Sequence, residues 1–159
     1  MKKFLLALGL ATSFTANAGL ELSNCLIAEP APGSSVTGVF FDIKFNITDE
    51  VKALRLPGAE SIQGATVEGL STTAEVHKTI MKDGVMKMQQ ISQYKLKPNV
   101  VHKFEKGGLH LMIRNFTKRP VAGEEYTLRI WSNYVDEPTC TAKVVKSADI
   151  PSASTKHKH

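Results

Sequence analysis

The clearest pattern of apolar and polar residues along the chain lies between Phe41 and Thr48. Every second side chain there is apolar and its neighbours are polar: Phe41, Ile43, Phe45 and Ile47 against Asp42, Lys44, Asn46 and Thr48. Because side chains alternate between the two faces of a strand, this period of two predicts a strand with one face in the core and one in water.

Short apolar runs separated by turn residues continue along the chain, and helical periodicity is weak throughout. We expect further strands at about residues 19–28, 65–70, 73–80, 85–94, 100–104, 109–116, 126–131 and 139–146. The Asp83-Gly84 pair between two of these runs is a strong β-hairpin signal. Many short strands with such turns predict an all-β, antiparallel sandwich or small barrel.

The first eighteen residues have the features of a secretion signal. Lys2 and Lys3 precede the apolar run Phe4–Ala11, and Ala16-Asn17-Ala18 resembles a cleavage site. We therefore expect a signal peptide over residues 1–18, a single domain over residues 19–146 and a disordered tail over residues 147–159. The short basic start favours a bacterial periplasmic protein.

Charge and cysteine content narrow the function classes. The formal charge of +5 falls to about +3 without the two lysines of the signal, and no basic run supports nucleic-acid binding. Cys25 and Cys140 are the two cysteines. In an oxidising compartment an even pair favours a disulfide, with two free thiols as the alternative. Neither cysteine belongs to a C-x-x-C motif of thiol redox enzymes.

Methionine and histidine cluster between His77 and Met112. All four methionines after the initiator and three of the five histidines lie in this window. The Asp83-Gly84 hairpin would fold His77 back toward Met86 and Met88, and the triplet His110-Leu111-Met112 would place an imidazole and a thioether on one strand face. Neutral nitrogen and soft sulfur ligands suit Cu(I) better than zinc, calcium or magnesium.

Each residue of this window also has an ordinary interpretation. The four methionines could pad a core, and isolated histidines are commonly surface residues. Met86 could shield a metal site, serve as a spare thioether or pack in the core. We expect Met81 to be a packing residue and His102 a surface residue. His157 and His159 could capture Cu(II) or simply be solvated.

The spacing of four of these residues resembles that of a known family. Ten residues separate His77 from Met88, 21 separate Met88 from His110, and Met112 follows two residues later. This H-x10-M-x21-H-x-M pattern is similar to that of the periplasmic copper chaperones of the PCuAC type, as are Glu75-Val76-His77 and Gly107-Gly108-Leu109 beside it. The similarity extends more loosely over residues 20–146.

The resemblance implies a Greek-key, cupredoxin-like β-sandwich whose metal ligands are His77, Met88, His110 and Met112. It implies one Cu(I) ion per monomer and no enzymatic activity. It also implies delivery of copper to subunit II of cytochrome c oxidase, alongside a Sco-type protein. Copper sequestration for tolerance is an alternative. A metal-free structural or adhesive β-sandwich, in which the histidines and methionines are incidental, is another. No Ser-His, Cys-His or paired-carboxylate arrangement indicates catalysis.

Overall fold

The computed structural model describes residues 19–153. The predicted signal peptide, residues 1–18, and the tail histidines His157 and His159 lie outside the described residues. Ten strands dominate the fold: β1 (Leu20–Ala28), β2 (Val36–Phe45), β3 (Ser61–Val67), β4 (Ser71–Lys82), β5 (Val85–Gln90), β6 (Tyr94–Lys95), β7 (Val101–Phe104), β8 (Leu109–Arg114), β9 (Glu125–Ser132) and β10 (Thr139–Val145).

The strands curl into a closed ring in the order β4, β8, β2, β1, β10, β9 and β3, and β3 pairs again with β4. The short β7 continues the pairing along β2, while β5 and β6 attach at the outside. This architecture confirms the predicted all-β fold. The pairing is antiparallel except for two parallel contacts, β1 with β10 and β7 with β8.

The alternating segment that opened the sequence pattern lies in β2. Phe41, Ile43 and Phe45 are almost fully buried, and Val39 extends the same core-facing row toward the start of the strand. Burying apolar side chains of this size stabilises the fold by roughly 1.5–3 kcal/mol each. The strand ends at Phe45, earlier than the pattern suggested, because Thr48 caps the short helix α1 (Asp49–Ala53) by accepting a hydrogen bond from the Val51 N–H.

The chain beyond residue 146 corrects one expectation. Within the described residues, Ser147–Asp149 form a 3-10 turn and Ile150 is buried. The Lys106 ammonium donates to the carbonyl and the hydroxyl of Ser147, both at 3.1 Å. Residues 147–153 are therefore packed against the barrel. A low apolar content concealed this, because one buried isoleucine and a few hydrogen bonds are sufficient to dock the segment.

The disulfide between Cys25 and Cys140 joins β1 to β10, the first and last strands of the fold. The structure therefore favours the bridge over two free thiols. It fastens the parallel pair that β1 and β10 form within the ring of strands. The disulfide therefore links covalently two strands that are already paired in the ring.

Replacing both cysteines, as Cys25→Ala together with Cys140→Ala, should destabilise the protein. A bridge across a sequence separation of 115 restricts the unfolded chain, and removal should lower the free energy of unfolding by about 3–5 kcal/mol. Urea denaturation of the oxidised protein, the reduced protein and the double variant measures the effect. The reduced protein is the control and should match the variant. Equal stability of all three would contradict the prediction.

Candidate metal site

The pairing of β4 with β8 brings two of the four predicted ligands face to face. His77 on β4 lies directly opposite His110 on β8, and Glu75 lies opposite Met112. Opposed residues of antiparallel strands project from the same face of a sheet, with Cβ atoms about 4.5–5.5 Å apart. The imidazole rings of His77 and His110 are stacked with their centroids 5.9 Å apart.

The pairing of β4 with β5 adds the fourth predicted ligand to this face. Asp83 and Gly84 both have positive φ, the signature of a type I′ turn, so the strands return in tight register. Met88 lies opposite Thr79, two residues from His77 along β4. Met88 therefore shares a face with the two histidines and Met112, as the hairpin signal predicted.

This face points away from the barrel core. Val76 and Leu111, the neighbours of His77 and His110 in the two strands, are opposed to each other and fully enclosed in the core. Nevertheless, His77 is only 2% exposed and His110 only 5%. Met88, in contrast, is 61% exposed. The face combines two enclosed imidazoles with a thioether that is open to solvent.

In each imidazole one ring nitrogen forms a hydrogen bond and the other has no hydrogen-bond partner. His77 Nε2 donates to the Glu75 carboxylate at 3.0 Å, and His110 Nδ1 donates to the Gly108 carbonyl at 3.1 Å. These bonds leave His77 Nδ1 and His110 Nε2 as buried acceptors without a partner, the only such side-chain atoms among residues 19–153. Unpaired buried polar atoms are costly and rare, so both nitrogens are candidate ligands for a metal ion.

The surroundings of His110 favour its neutral form. Burial lowers its pKa, since the charged form loses hydration. The hydrogen bond to the Gly108 carbonyl acts in the opposite direction, and nearby His77 lowers the pKa further. The pKa of Glu75 is lowered chiefly by the hydrogen bond from His77, and the Arg114 guanidinium contributes as well. A charged carboxylate therefore orients His77.

A cavity of about 360 Å³ opens beside the site. Met88, His110 and Met112 contribute to its wall, together with apolar residues such as Phe40. The Phe40 ring lies 6.3 Å from the His110 ring and folds over Gly38, where an added Cβ would approach it to 2.7 Å. His77 is not among the lining residues. Solvent and partner groups can therefore approach from the side of Met88, His110 and Met112.

His102 and Met81 differ from expectation, and one of the three alternatives for Met86, packing in the core, is excluded. His102 is 8% exposed, because its ring lies between the Tyr94 hydroxyl and the Lys97 backbone on the core side of β7. The surface assignment of His102 is wrong. Met81 and Met86 are 67% and 65% exposed, so neither is a packing residue. They lie opposite each other near the hairpin turn.

Sequence reasoning missed the residues that support the histidines. Glu75 stands two residues before His77 in a strand, and this spacing, which places both side chains on one face, is the signal that could have identified it. The Gly108 carbonyl and the Phe40 ring left no such signal, because they depend on how the loop and β2 pack. Across the described part of the chain, no three His, Cys, Asp or Glu side chains form a metal-binding group, which leaves the thioethers as the remaining soft ligands.

Comparisons with known proteins place the chain in a family. The model of the LpqE-like lipoprotein family matches residues 20–144. No curated protein was found to be significantly similar. Within residues 19–153, no helix is long and apolar enough to cross a membrane.

Solved structures share the fold at low identity. The copper-bound PCuAC domain from PmoF2 is 12% identical with a TM-score of 0.62, and the match covers 82% of this chain and 96% of that domain. The apo PCuAC domain from PmoF1 is 14% identical with a TM-score of 0.59, covering 82% and 96%. The Cu(I)-bound DR1885 from Deinococcus radiodurans is 15% identical with a TM-score of 0.52, covering 83% and 80%.

At this level of identity the solved structures show only that this chain shares their fold. The family model shows which family the chain belongs to. The cupredoxin-like β-barrel predicted for the chain is that of the PCuAC domains. The chain belongs to the LpqE-like family.

Proposed function

We propose that this protein is a periplasmic Cu(I) chaperone. It holds one Cu(I) ion per monomer through His77, Met88, His110 and Met112 and releases the ion by ligand exchange. The observation that carries the proposal is the pair of buried, unpartnered ring nitrogens, His77 Nδ1 and His110 Nε2. They lie on a sheet face that also carries the two thioethers.

The donor set favours a soft monovalent ion. Two neutral imidazoles and two neutral thioethers bring no negative charge, so a divalent ion would remain largely uncompensated at the site. Thioether sulfur suits Cu(I), whereas zinc sites use Cys, His and carboxylates, and calcium and magnesium sites use oxygen. The Glu75 carboxylate is bonded to His77 and Arg114. It therefore orients a ligand, a role that carboxylates commonly take around metal-binding histidines.

The histidines are prepared for metal binding before the ion arrives. The partners of His77 Nε2 and His110 Nδ1 fix the tautomers, which leaves the other nitrogens as acceptors. The lowered pKa of His110 keeps its ring neutral to lower pH than a free imidazole. Cu(I) then binds at neutral pH without displacing a proton from His110.

Release begins at Met88 in this proposal. Met88 is the exposed ligand and lies on β5, an edge strand that pairs only with β4. An acceptor thiolate or imidazole approaching through the cavity replaces one thioether at a time, so each metal bond that breaks is matched by one that forms. The copper remains Cu(I) throughout. The buried histidines are the last ligands to dissociate from the ion.

Two of the structurally similar proteins agree with this role. One PCuAC domain is described as copper-bound and DR1885 as loaded with Cu(I). The lipoprotein description of the family agrees with export, as does the predicted signal peptide. Subunit II of cytochrome c oxidase is the proposed acceptor, with a Sco-type protein as a second partner.

Delivery and sequestration use the same site and differ in the acceptor. A deletion strain separates them. Loss of oxidase activity under copper limitation, restored by the wild-type gene and not by one carrying Met88→Leu, supports delivery. Copper sensitivity with normal oxidase activity supports sequestration and contradicts delivery.

Substitution of Met88 tests the ligand set. Met88→Leu keeps the size of the side chain and removes the sulfur, so Cu(I) affinity should fall at least about tenfold, as it does when a metal site is perturbed. His110→Ala should abolish stoichiometric binding. Competition with a chromophoric Cu(I) chelator measures both effects, with circular dichroism as the fold check.

Gln89→Leu is the matched control, since it introduces the same residue on the other face of β5, opposite Lys78. It should bind Cu(I) as the wild type does. Unchanged affinity in both Met88→Leu and His110→Ala would refute the proposed site. Mass spectrometry without bound copper after refolding with Cu(I) would favour a metal-free structural module.

Substitution of Glu75 tests the orientation of His77. Glu75→Gln weakens the acceptor of the His77 Nε2–H, so the two tautomers should mix and Cu(I) affinity should fall by about 10–100-fold. Nitrogen-15 NMR of the imidazoles reports the tautomers, and chelator competition reports the affinity.

Arg114→Gln is the control for this effect, because it removes the other contact of the same carboxylate and leaves the His77 bond in place. It should retain near-wild-type affinity. A Glu75→Gln variant that binds Cu(I) as tightly as the wild type would contradict the orienting role.

A further inference from the structure

Three methionines project into solvent from one hairpin. Met81, Met86 and Met88 are each more than 60% exposed. Methionine is among the residue types most often buried, and a cluster of exposed ones serves no packing purpose in the folded chain. The four-ligand site uses Met88 and leaves Met81 and Met86 without a role.

The hairpin places the three thioethers together. Met81 and Met86 are directly opposed, one pair below the closing pair Lys82 and Val85. In a two-residue hairpin the closing pair is hydrogen-bonded, so the next pair is of the non-hydrogen-bonded kind, in which side chains approach most closely. Met88 follows Met86 by two residues and shares its face.

The distances suit one shared ion. Opposed Cβ atoms lie about 4.5–5.5 Å apart and same-face neighbours in a strand about 6.5–7 Å. Methionine has three rotatable side-chain bonds, so three sulfurs on this spacing can converge on one point. The end of the hairpin that carries the methionines extends beyond β8, because β8 pairs with β4 only from Ala74 to Lys78.

The lysines of the hairpin lie on its other face. Three pairs of opposed residues carry them: Lys78 with Gln89, Lys82 with Val85, and Ile80 with Lys87. These pairs alternate with the methionine pairs and therefore project in the opposite direction. A cation approaching the methionines meets uncharged sulfur, with uncharged Thr79 beside them and Gln90 one pair further along the same face.

We propose that Met81, Met86 and Met88 form a second, outer site for a soft monovalent cation, Cu(I) or Ag(I). Thioether sulfur selects such ions over divalent metals. Met88 belongs to both sites, so an ion moves between them while Met88 stays bound, and each bond to Met81 or Met86 that breaks is matched by one that forms to an inner ligand. This transfer role rests on the proposed function, whereas the outer site itself does not.

Silver titration of the full chain, carbon-13-labelled at the methionine methyl groups, tests the outer site. Individual Met→Leu variants assign the signals. The first equivalent of Ag(I) should shift the Met88 and Met112 methyls, and the second should shift Met81 and Met86. Met81→Leu combined with Met86→Leu should abolish binding of the second equivalent and leave the first unchanged.

Leu54→Met supplies the control, because Leu54 is exposed on α1's C-terminal side, and a methionine there reports binding to any solvent-accessible thioether. Met81 and Met86 signals that stay fixed through the second equivalent overturn the outer site. A methyl signal of the Leu54→Met side chain that shifts in parallel with them overturns it as well. A fixed Met112 signal, with Met81, Met86 and Met88 all shifting, refutes the inner site instead and leaves the outer one standing.

The transfer role has its own test. Protein loaded with one equivalent of Cu(I) is mixed with an excess of a chromophoric chelator, and the rate of copper transfer is recorded. The double variant Met81→Leu/Met86→Leu should release copper severalfold more slowly at unchanged affinity for the first equivalent. An unchanged rate overturns the transfer role.

Discussion

The register of β4 between β5 and β8 is the constraint on which the site depends. It places His77 opposite His110 and, next to them, Val76 opposite Leu111. A slip of one residue would invert both faces, moving imidazoles into the barrel and aliphatic side chains out of it. The core therefore fixes the register from one side, since Val76 and Leu111 are fully enclosed. The type I′ turn at Asp83-Gly84 fixes it from the other.

The sheet face that carries His77 and His110 lowers the stability of the fold. Two buried ring nitrogens without partners cost roughly 1–3 kcal/mol each in a protein that is otherwise well satisfied. The barrel offsets this cost through its closed ring of strands and the Cys25–Cys140 bridge. Buried Glu60 also stabilises the barrel. Its carboxylate accepts hydrogen bonds from the backbone N–H groups of the loop that follows β9, those of Asn133, Tyr134 and Val135. A rigid support of this kind allows the site to keep two acceptors free.

The sequence predicted those features that depend on local pattern. Alternation identified the core row of β2, the Asp-Gly pair identified the hairpin, and period two placed His110 beside Met112. Features that depend on distant packing were missed: the parallel pairing of β1 with β10, the docking of Ile150 and the burial of His102. The strand period shows which face His77 occupies, but only the packed loops reveal that this outward face is enclosed. Exposure of Met81 was missed for a related reason, because β8 stops short of it.

Burial differs sharply among the four proposed ligands, and in the proposed function this difference gives copper release a direction. The histidines are held by core strands and by hydrogen bonds to Glu75 and Gly108, so moving them would disturb the barrel. Met88 belongs to an edge strand with one neighbour, and a pair of strands without further support is only marginally stable. Displacing Met88 therefore disturbs little besides the hairpin. A site with fixed nitrogen ligands and a movable sulfur ligand can bind copper firmly and still open on one side, which is what transfer by ligand exchange requires.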